Sequence, residues 1–322
     1  MSIWVCGEVL IDLIPGADGV RVAHVGGGPA NTAKALARLG HDVHFIDGIS
    51  SDEFGQMSRK ELLDDEVKLD LALNSDKPTC TAEVTLAANG SASYVFTIDG
   101  TATFDFNDSW LPDASRLKPK VLHIGTLVTI IEPASSVLYD WAVKVNEFAP
   151  VVFDPNIRPS VVGDRVRYAA AVEKWAAISS VIKLSDDDVK WLYPDESFES
   201  VAQRWIAQGT SVVVITRGAD GLIGFTADGA VEVLARKGQK PRRVVGAPDA
   251  GREFLGTSKF IDTDHPKIRE LAQRAGGCED DCWTAALRLE RYVSRSLNPD
   301  AAAALVPASE FASTWRGDCR HA

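Results

Sequence analysis

The first 236 residues alternate between short apolar runs and longer amphipathic stretches, and this rhythm restricts the fold more than any other feature. Val43–Ile46 and Val212–Thr216 are typical of buried strands, whereas Glu53–Leu63 and Ala134–Phe148 place apolar residues at helical spacing. The other predicted strands are Ser2–Cys6, Val121–Ile124, Val151–Phe153 and Val181–Lys183, and the other predicted helices are Asn31–Leu39, Val166–Ile178 and Ser200–Ala207. Because strands that alternate with helices form a parallel sheet covered by helices on both faces, the sequence predicts an α/β protein.

Residues 9–25 and 79–98 break this rhythm, because each contains two runs in which apolar and polar residues alternate. In the second segment the two runs are joined by Asn89-Gly90, which is a strong signal for a two-residue hairpin turn. We expect these segments to form a small antiparallel β lobe that projects from the main sheet. Such a lobe suits a lid over a site, or a surface through which two copies form a homodimer.

The charge and the cysteine content restrict the possible partners and the compartment. The net charge of −11 argues against a nucleic-acid-binding surface, which needs a basic face. The chain opens without a basic segment, and no apolar run approaches the roughly 20 residues that span a bilayer. The five cysteines are few, odd in number and widely spread. We therefore expect a reduced cytoplasmic protein that binds neither nucleic acid nor membrane.

The stretch Val25–Gly40, VGGGPANTAKALARLG, is the most informative local motif. Gly26, Gly27 and Gly28 permit a close approach of the backbone to a ligand, and Pro29 stands at the start of a helix. Free N–H groups at a helix start favour hydroxyl or anionic partners. The glycine spacing matches neither a phosphate-binding P-loop nor a dinucleotide fingerprint. Taken alone, the motif is equally compatible with a plain strand–helix turn.

Asp12 follows the first predicted strand in the segment GEVLIDLIP. A carboxylate at this place can accept hydrogen bonds from two neighbouring hydroxyls of a sugar. The alternative is an exposed aspartate on a strand of the lobe.

Together, Asp12, the GGGPAN turn, Ser51–Gly55, VVFDPNIRP and VVVITRGADG resemble the PfkB family of carbohydrate kinases in order and spacing, with fructokinase character. The resemblance covers residues 1–237 and implies a ribokinase-like fold with a small β lid. It also implies phosphorylation of a sugar hydroxyl by ATP with Mg²⁺, with a monovalent cation as a further cofactor. The substrate it implies is fructose or a related sugar.

The resemblance also implies the site residues. The sugar-binding residues it implies are Asp12, Gly27, Gly28, Asn31 and Arg158. The nucleotide-binding residues it implies are Asp154, Asn156, Lys183, Ser185, Asp188, Thr216, Gly218 and Gly221. Lys183 neutralises phosphate charge in this interpretation, and the glycines lie against the nucleotide. A structural salt bridge is the alternative role for Arg158, and an ordinary surface position is the alternative for Lys183.

Phosphoryl transfer also needs a carboxylate base and a cluster of N–H groups at a helix start. In the family both lie in the motif D-T-x-G-A-G-D, with the second aspartate as the base. This chain has RRVVGAPDAG there: Gly246, Ala247 and Asp249 match, but Pro248 replaces a glycine and offers no N–H. Asp249 is thus the candidate base, and the favoured alternative is that residues 238–256 form a linker with a coincidental aspartate.

Residues 257–322 show a different character. From residue 237 onwards, 14 Lys+Arg stand against 12 Asp+Glu, whereas residues 1–236 carry 20 against 33. The runs FIDTDHPKIRELAQRA, WTAALRLERYV and PASEFASTWRGDC resemble the first part of bacterial transglutaminase-like domains, which makes Cys319 the nucleophile by resemblance. Such a cysteine needs a histidine and a carboxylate, which in those domains lie further downstream. His321 is too close along the chain to be the partner, so we expect Cys319 to be inert.

Three hypotheses remain open from the sequence. The chain is a sugar kinase that uses Asp249, a sugar- or nucleotide-binding protein without catalysis, or a join between a kinase fragment and a transglutaminase-like fragment. No protein residue is assigned as a metal ligand.

Overall fold

The computed structural model describes residues 2–15, 20–86 and 92–234, together with residues 270, 298–299 and 316–317. The chain divides into two compact units. The first consists of Met1–Val84 and Tyr94–Ala235, and the second of Thr85–Ser93 and Arg236–Ala322. Nearly all of the described residues belong to the first unit.

The strands of the first 234 residues are β1 (Ile3–Cys6), β2 (Leu10–Pro15), β3 (Arg21–Gly26), β4 (Val43–Ile46), β5 (Gly48–Ser50), β6 (Leu73–Ser75), β7 (Thr81–Leu86), β8 (Ala92–Thr97), β9 (Val121–Gly125), β10 (Val151–Asp154), β11 (Val181–Ser185), β12 (Val212–Thr216), β13 (Leu222–Thr226) and β14 (Gly229–Val233). The α-helices are α1 (Gly28–Arg38), α2 (Glu53–Asp64), α3 (Ala114–Leu117), α4 (Ala134–Asn146), α5 (Arg165–Ala176), α6 (Asp186–Leu192) and α7 (Phe198–Ala207). Short 3₁₀ helices span Ala102–Phe104, Thr126–Thr129 and Gly218–Asp220. In the second unit, Asn298–Pro299 (β15) pairs in parallel with Arg316–Gly317 (β16).

The main sheet has eight strands in the order β14-β13-β12-β11-β10-β9-β1-β4. The six strands from β12 to β4 pair in parallel, and β13 and β14 extend the sheet as an antiparallel hairpin. All six parallel strands were predicted from their apolar runs, which confirms the α/β class. The hairpin β13–β14 was not predicted.

The core lies on both faces of this sheet. Trp4 and Cys6 of β1 belong to one buried apolar cluster, whereas Val5 between them belongs to another. Since successive residues of a strand point to opposite faces, the two clusters flank the sheet. The larger cluster includes Trp175 of α5, which stacks on Phe153 of β10 with ring centroids 5.8 Å apart. Buried apolar side chains therefore pack against both faces of the sheet.

A second sheet, with the order β3-β2-β7-β8, forms the predicted β lobe. β2 and β3 pair in antiparallel fashion as expected, from Leu10 opposite Gly26 to Pro15 opposite Arg21. β2 and β7, however, pair in parallel, with Ile11 opposite Thr81. The prediction of a wholly antiparallel lobe was therefore wrong at this pair. The long connection between β2 and β7 allows both strands to run in the same direction, which a tight hairpin does not.

Asn89-Gly90 lies outside the described residues, and dimerisation through the lobe stays a prediction. In the part of the chain that the structure describes, no helix is both long and apolar enough to cross a membrane.

Candidate active site

A cleft of about 610 Å³ opens at the carboxyl ends of the parallel strands, where α/β sheets place their ligands. Its walls come from the β1–β2 connection, strand β2, the start of α1, the 3₁₀ helix after β9, the segment after β10, and strand β8 of the lobe. The lining residues are Glu8, Leu10, Asp12, Gly27, Gly28, Asn31, Phe96, Leu127, Asn156, Arg158 and Ser160. The structure thus brings all five residues of the predicted sugar set to one cavity.

The glycine turn before α1 brings the main chain to the cleft wall. Gly27 has a φ of 107°, and a Cβ atom on it would lie 2.3 Å from the carbonyl oxygen of Glu8. A Cβ atom on Gly28 would lie 2.9 Å from Cγ2 of Thr126 and 3.1 Å from Nδ2 of Asn156. Only glycine fits at position 27, because both its backbone conformation and the space around it exclude a side chain.

Asp12 lies on β2, next to the glycine strand β3. A Cβ atom on Gly26 would lie 2.3 Å from Oδ2 of Asp12, so the aspartate side chain lies directly over that glycine. Burial raises the pKa of Asp12, and the charges of His24 and Arg158 oppose this rise. Asp12 therefore lies on a strand of the lobe, as a half-buried carboxyl that lines the cleft and not as an exposed one.

Arg158 enters the cleft from the segment after β10. Its Nη1 donates hydrogen bonds to the carbonyl oxygens of Asn156, at 3.3 Å, and Ile157, at 3.0 Å. The hydroxyl of Tyr168 accepts from its backbone N–H at 3.2 Å. Among the described residues, no carboxylate lies within ion-pair distance of Arg158. Its guanidinium is thus held by main-chain oxygens beside the cleft, without a direct ion pair.

Asn156, which was predicted with the nucleotide set, lines the same cleft as the sugar residues. Its φ of 39° is unusual for a residue with a side chain. Asparagine tolerates this conformation better than most residues, and such backbone strain concentrates at functional sites.

A second cluster of polar side chains lies near the carboxyl ends of the neighbouring strands β10 and β11. Nζ of Lys183 is 3.1 Å from Oδ2 of Asp154, whose Oδ1 is buried without a hydrogen-bond partner. Burial raises the pKa of Asp154, although the charge and hydrogen bond of Lys183 oppose this. His123, on β9, is held neutral, because burial and the charge of Lys183 lower its pKa to about 4. Sequence reasoning missed His123, since its strand is otherwise apolar.

Ser185 and Asp188 form a capping box at the start of α6. Each side chain accepts a hydrogen bond from the other residue's backbone N–H. Oδ1 of Asp188 also accepts from the backbone N–H of Ile157 at 3.0 Å. Asp188 therefore connects the start of α6, through hydrogen bonds, to the segment that carries Asn156 and Arg158.

The remaining residues of the predicted nucleotide set lie at the β12–β13 turn. Thr216 ends β12, and its hydroxyl donates to the carbonyl oxygen of Leu184 at 3.4 Å. Gly218 and Gly221 have φ values of 53° and 89°, and the backbone N–H of Arg217 donates to the carbonyl oxygen of Gly221 at 2.7 Å. The glycines thus permit a tight turn between β12 and β13.

Comparison with known proteins identifies the family. The model of the pfkB family carbohydrate kinases matches residues 2–251 of this chain. The chain belongs to the PfkB family. A fructokinase of Rhizobium leguminosarum bv. trifolii is 33% identical over 237 residues, which cover 72% of this chain and 72% of that one.

Solved PfkB-type structures agree with the fold. The fructokinase of Xylella fastidiosa with bound ATP matches with a TM-score of 0.66 and 25% identity, over 72% of this chain and 77% of that one. A fructokinase double mutant from Vibrio cholerae O395, bound to fructose, ADP and potassium, matches with a TM-score of 0.65. Its identity is 24%, and the match covers 97% of this chain and 98% of that one.

The family model and the Vibrio cholerae structure match this chain beyond residue 237, where the resemblance noticed in the sequence ended. The PfkB match includes Asp249 and the altered RRVVGAPDAG segment. The resemblance of residues 257–322 to transglutaminases finds no support in the matches. Asp249 and Cys319 both lie outside the described residues.

Glu8 is a carboxyl of the cleft of this PfkB protein that sequence reasoning missed. Its side chain is 3% exposed, and its Oε2 is buried without a hydrogen-bond partner. Burial raises its pKa to about 8, against the opposing effects of backbone N–H groups and Arg158. The available signal was a carboxyl in the segment CGEVL, between the apolar residues of β1 and β2.

Proposed function

We propose that this protein transfers the γ-phosphoryl group of ATP to a hydroxyl group of a sugar, fructose or a close relative. The observation that carries the proposal is the single cleft in which Asp12, Asn31, Asn156 and Arg158 surround a glycine turn. A sugar presents several hydroxyl groups, each of which donates and accepts. A cleft that combines a carboxylate, two amides, a guanidinium and exposed main chain suits such a ligand.

The roles of these groups follow from their chemistry. The Asp12 carboxylate accepts hydrogen bonds from two neighbouring hydroxyls, and Arg158 donates to sugar oxygens. The amides of Asn31 and Asn156 do both. Fructose is favoured because the matched relative from Rhizobium is a fructokinase.

The proposed nucleotide side is the sheet edge at Lys183 and the β12–β13 turn. Lys183 compensates phosphate charge, and the turn at Gly218 and Gly221 lets the nucleotide approach the main chain. The related Xylella protein binds ATP. The cofactors proposed here are ATP and Mg²⁺, with a monovalent cation in addition. The buried carboxyl of Asp154, which has one oxygen without a partner, suits the cationic or N–H groups of such an assembly.

The proposed base is Asp249, which removes the proton of the attacking hydroxyl as the γ-phosphoryl group arrives. Residues 1–237 form the kinase domain in this proposal, and residues 238–256 supply the altered catalytic motif. Pro248 removes one N–H group from the phosphoryl-stabilising cluster. We therefore expect slower turnover than in a kinase with the intact glycine motif.

The test is release of ADP with fructose, ATP and Mg²⁺, measured for the wild type and for Asp12→Asn and Asp249→Asn. Loss of the Asp12 charge removes about 1.5–3 kcal/mol of hydrogen bonding, so KM for fructose rises roughly 10- to 100-fold. Asp249→Asn lowers kcat and leaves fructose binding unchanged. Asp187→Asn, at an exposed position on α6, is the control and behaves as wild type.

Turnover that Asp249→Asn leaves unchanged would exclude Asp249 as the base. A wild-type protein that binds fructose and ATP but releases no ADP is a binding protein, and the kinase proposal is then wrong.

A further inference from the structure

The Glu8 carboxyl borders the proposed sugar cleft, yet one of its oxygens has no partner. Glu8 is 3% exposed, lines the cleft together with Asp12 and Arg158, and leaves Oε2 buried without a hydrogen bond. A buried polar atom without a partner costs roughly 1–3 kcal/mol, so native proteins leave few of them. An unpartnered oxygen at a ligand cleft indicates that the bound ligand supplies the missing hydrogen bond.

Asp47 shows that a buried carboxyl in this region can be fully satisfied by the protein. Its Oδ2 accepts from the backbone N–H of Val9 at 2.8 Å and from the hydroxyl of Thr103 at 3.1 Å. Its Oδ1 accepts from the backbone N–H of Gly48 at 2.8 Å. Asp47 holds the residue that follows Glu8, but it does not line the cleft. Of these two neighbouring buried carboxyls, only the one that borders the cavity has an oxygen without a partner.

The charged and titratable groups around Glu8 leave it neutral at pH 7. Burial raises its pKa to about 8, and the backbone N–H groups of Glu8, Leu127 and Val128 together with the charge of Arg158 oppose this only partly. No ion pair joins Arg158 to Glu8 among the described residues. The charge of Glu8 also acts on Asp47, Cys6, Cys80 and Tyr168, and Asp12 lines the same cleft. Burial raises the pKa of each of these five groups as well.

We propose that Glu8 is a further substrate-binding residue of this cleft, and that it binds the sugar as a neutral carboxylic acid that donates its proton to a sugar oxygen. The inference rests on the proposed sugar-binding function of the cleft. A neutral acid offers both a donor and an acceptor, whereas an ionised Asp12 only accepts and Arg158 only donates. Glu8 thus recognises an oxygen that still needs a donor after its hydroxyl has donated to Asp12. A sugar that lacks this oxygen leaves a buried donor unpaired and is rejected.

The test is the dissociation constant of fructose by calorimetry without nucleotide, from pH 6 to pH 9.5. Wild-type affinity is constant at low pH and falls above pH about 8, approaching tenfold for each further unit, because Glu8 must be protonated to bind. Glu8→Gln keeps a donor and an acceptor, so it binds within about threefold of wild type at pH 7 and shows no such fall. Glu8→Leu, which has neither, binds at least tenfold more weakly than wild type does at pH 7, and its affinity does not change with pH. Thermal unfolding of each variant confirms that it is folded.

Wild-type affinity that stays constant up to pH 9.5 overturns the inference. So does a Glu8→Gln protein that keeps the wild-type pH dependence, because another group, such as Asp47, then titrates. If Glu8→Leu does not fold, the comparison of wild type with Glu8→Gln still decides.

Failure of the kinase proposal is distinguishable from failure of this one. If fructose binding depends on Glu8 but no ADP is released, the role of Glu8 is supported. Only the kinase proposal then fails. If the protein turns over fructose but its fructose affinity depends neither on Glu8 nor on pH, the kinase proposal stands. Only the proposed role of Glu8 is then overturned.

Discussion

Nζ of Lys183 lies 3.1 Å from Oδ2 of Asp154, joining the carboxyl ends of the adjacent parallel strands β11 and β10. The lysine side chain remains 40% exposed, so its ammonium group keeps donors for a further partner. The aspartate holds the ammonium in place at the sheet edge. An ordered, partly exposed cation suits contact with phosphate oxygens better than a freely rotating surface lysine does.

Replacement of Lys183 tests whether its ammonium group contributes to ATP binding. Lys183→Met keeps the apolar stem of the side chain but removes about 1.5–3 kcal/mol of charged hydrogen bonding, so KM for ATP rises roughly 10- to 100-fold. KM for the sugar changes little. Lys190→Met is the matched control, because Lys190 forms an exposed ion pair with Asp186 one helical turn away. Equal ATP affinities of the two variants in steady-state kinetics would contradict a role for Lys183.

Gly27 provides a steric test of the cleft wall. Alanine at this position brings a Cβ atom to 2.3 Å from the carbonyl oxygen of Glu8, in a backbone conformation with φ of 107°. Backbone strain and overpacking each cost about 1–3 kcal/mol, so we expect Gly27→Ala to lose at least about 2 kcal/mol of stability, and the folded fraction to lose fructose affinity. Gly163→Ala is the control, because a Cβ atom on Gly163 would lie 3.6 Å from its nearest neighbour, the carbonyl oxygen of Pro159. Urea unfolding and calorimetry give the two readouts, and a Gly27→Ala protein as stable as Gly163→Ala would refute the steric argument.

Replacement of Asp188 tests how much its hydrogen bonds between α6 and the segment after β10 contribute to stability. Asp188→Ala removes the capping box and leaves the backbone N–H of Ile157 without its acceptor, which together cost about 2–4 kcal/mol. Asp187→Ala, one residue away but with a side chain 91% exposed, changes stability by less than about 0.5 kcal/mol. Chemical denaturation compares the two. Similar losses in both variants would mean that helix charge, not the tie to Ile157, stabilises this region.

Local patterns were enough to predict the main sheet. β4 and β12 begin and end where their apolar β-branched runs do, at Val43–Ile46 and Val212–Thr216. Helix α2 begins at Glu53 because Asp52 caps it, accepting from the backbone N–H of Gly55. α1 begins at Gly28, three residues before its predicted start, because Pro29 suits the first turn of a helix. The hairpin β13–β14 was missed although Asp228-Gly229 is a turn signal of the same kind as Asn89-Gly90.

Features that depend on distant residues were not predictable from local patterns. The parallel pairing of β2 with β7 joins Ile11 to Thr81. Glu8 has a raised pKa because burial in the fold removes it from water, and the backbone N–H groups of Leu127 and Val128 oppose that rise only partly. The one local signal for Glu8 is that its carboxyl stands between the apolar residues of β1 and β2, and this signal does not reveal the raised pKa. Asp12, in contrast, was found because its position after a strand is itself a local signal.

The buried acid also makes stability depend on pH in a predictable direction. Burial raises the pKa of Glu8 to about 8 in the folded protein, from an ordinary value of 4.5. Between these pH values the folded state holds a proton that the unfolded state has released. Stability therefore falls as pH rises from 4.5 towards 8, and no further loss from Glu8 occurs above that range.

Glu8→Gln removes this proton uptake while it keeps the shape of the side chain. We expect the variant to be more stable than wild type at pH 8 by an amount on the order of 3 kcal/mol, and the difference to shrink towards pH 5. Urea unfolding at several pH values measures it. Glu53→Gln, at the exposed start of α2, is the control and stays within about 0.5 kcal/mol of wild type at each pH. Because a glutamate with an ordinary pKa ionises equally in both states at pH 8, a stability difference that is the same at pH 5 and pH 8 would show that Glu8 is not the buried acid described here.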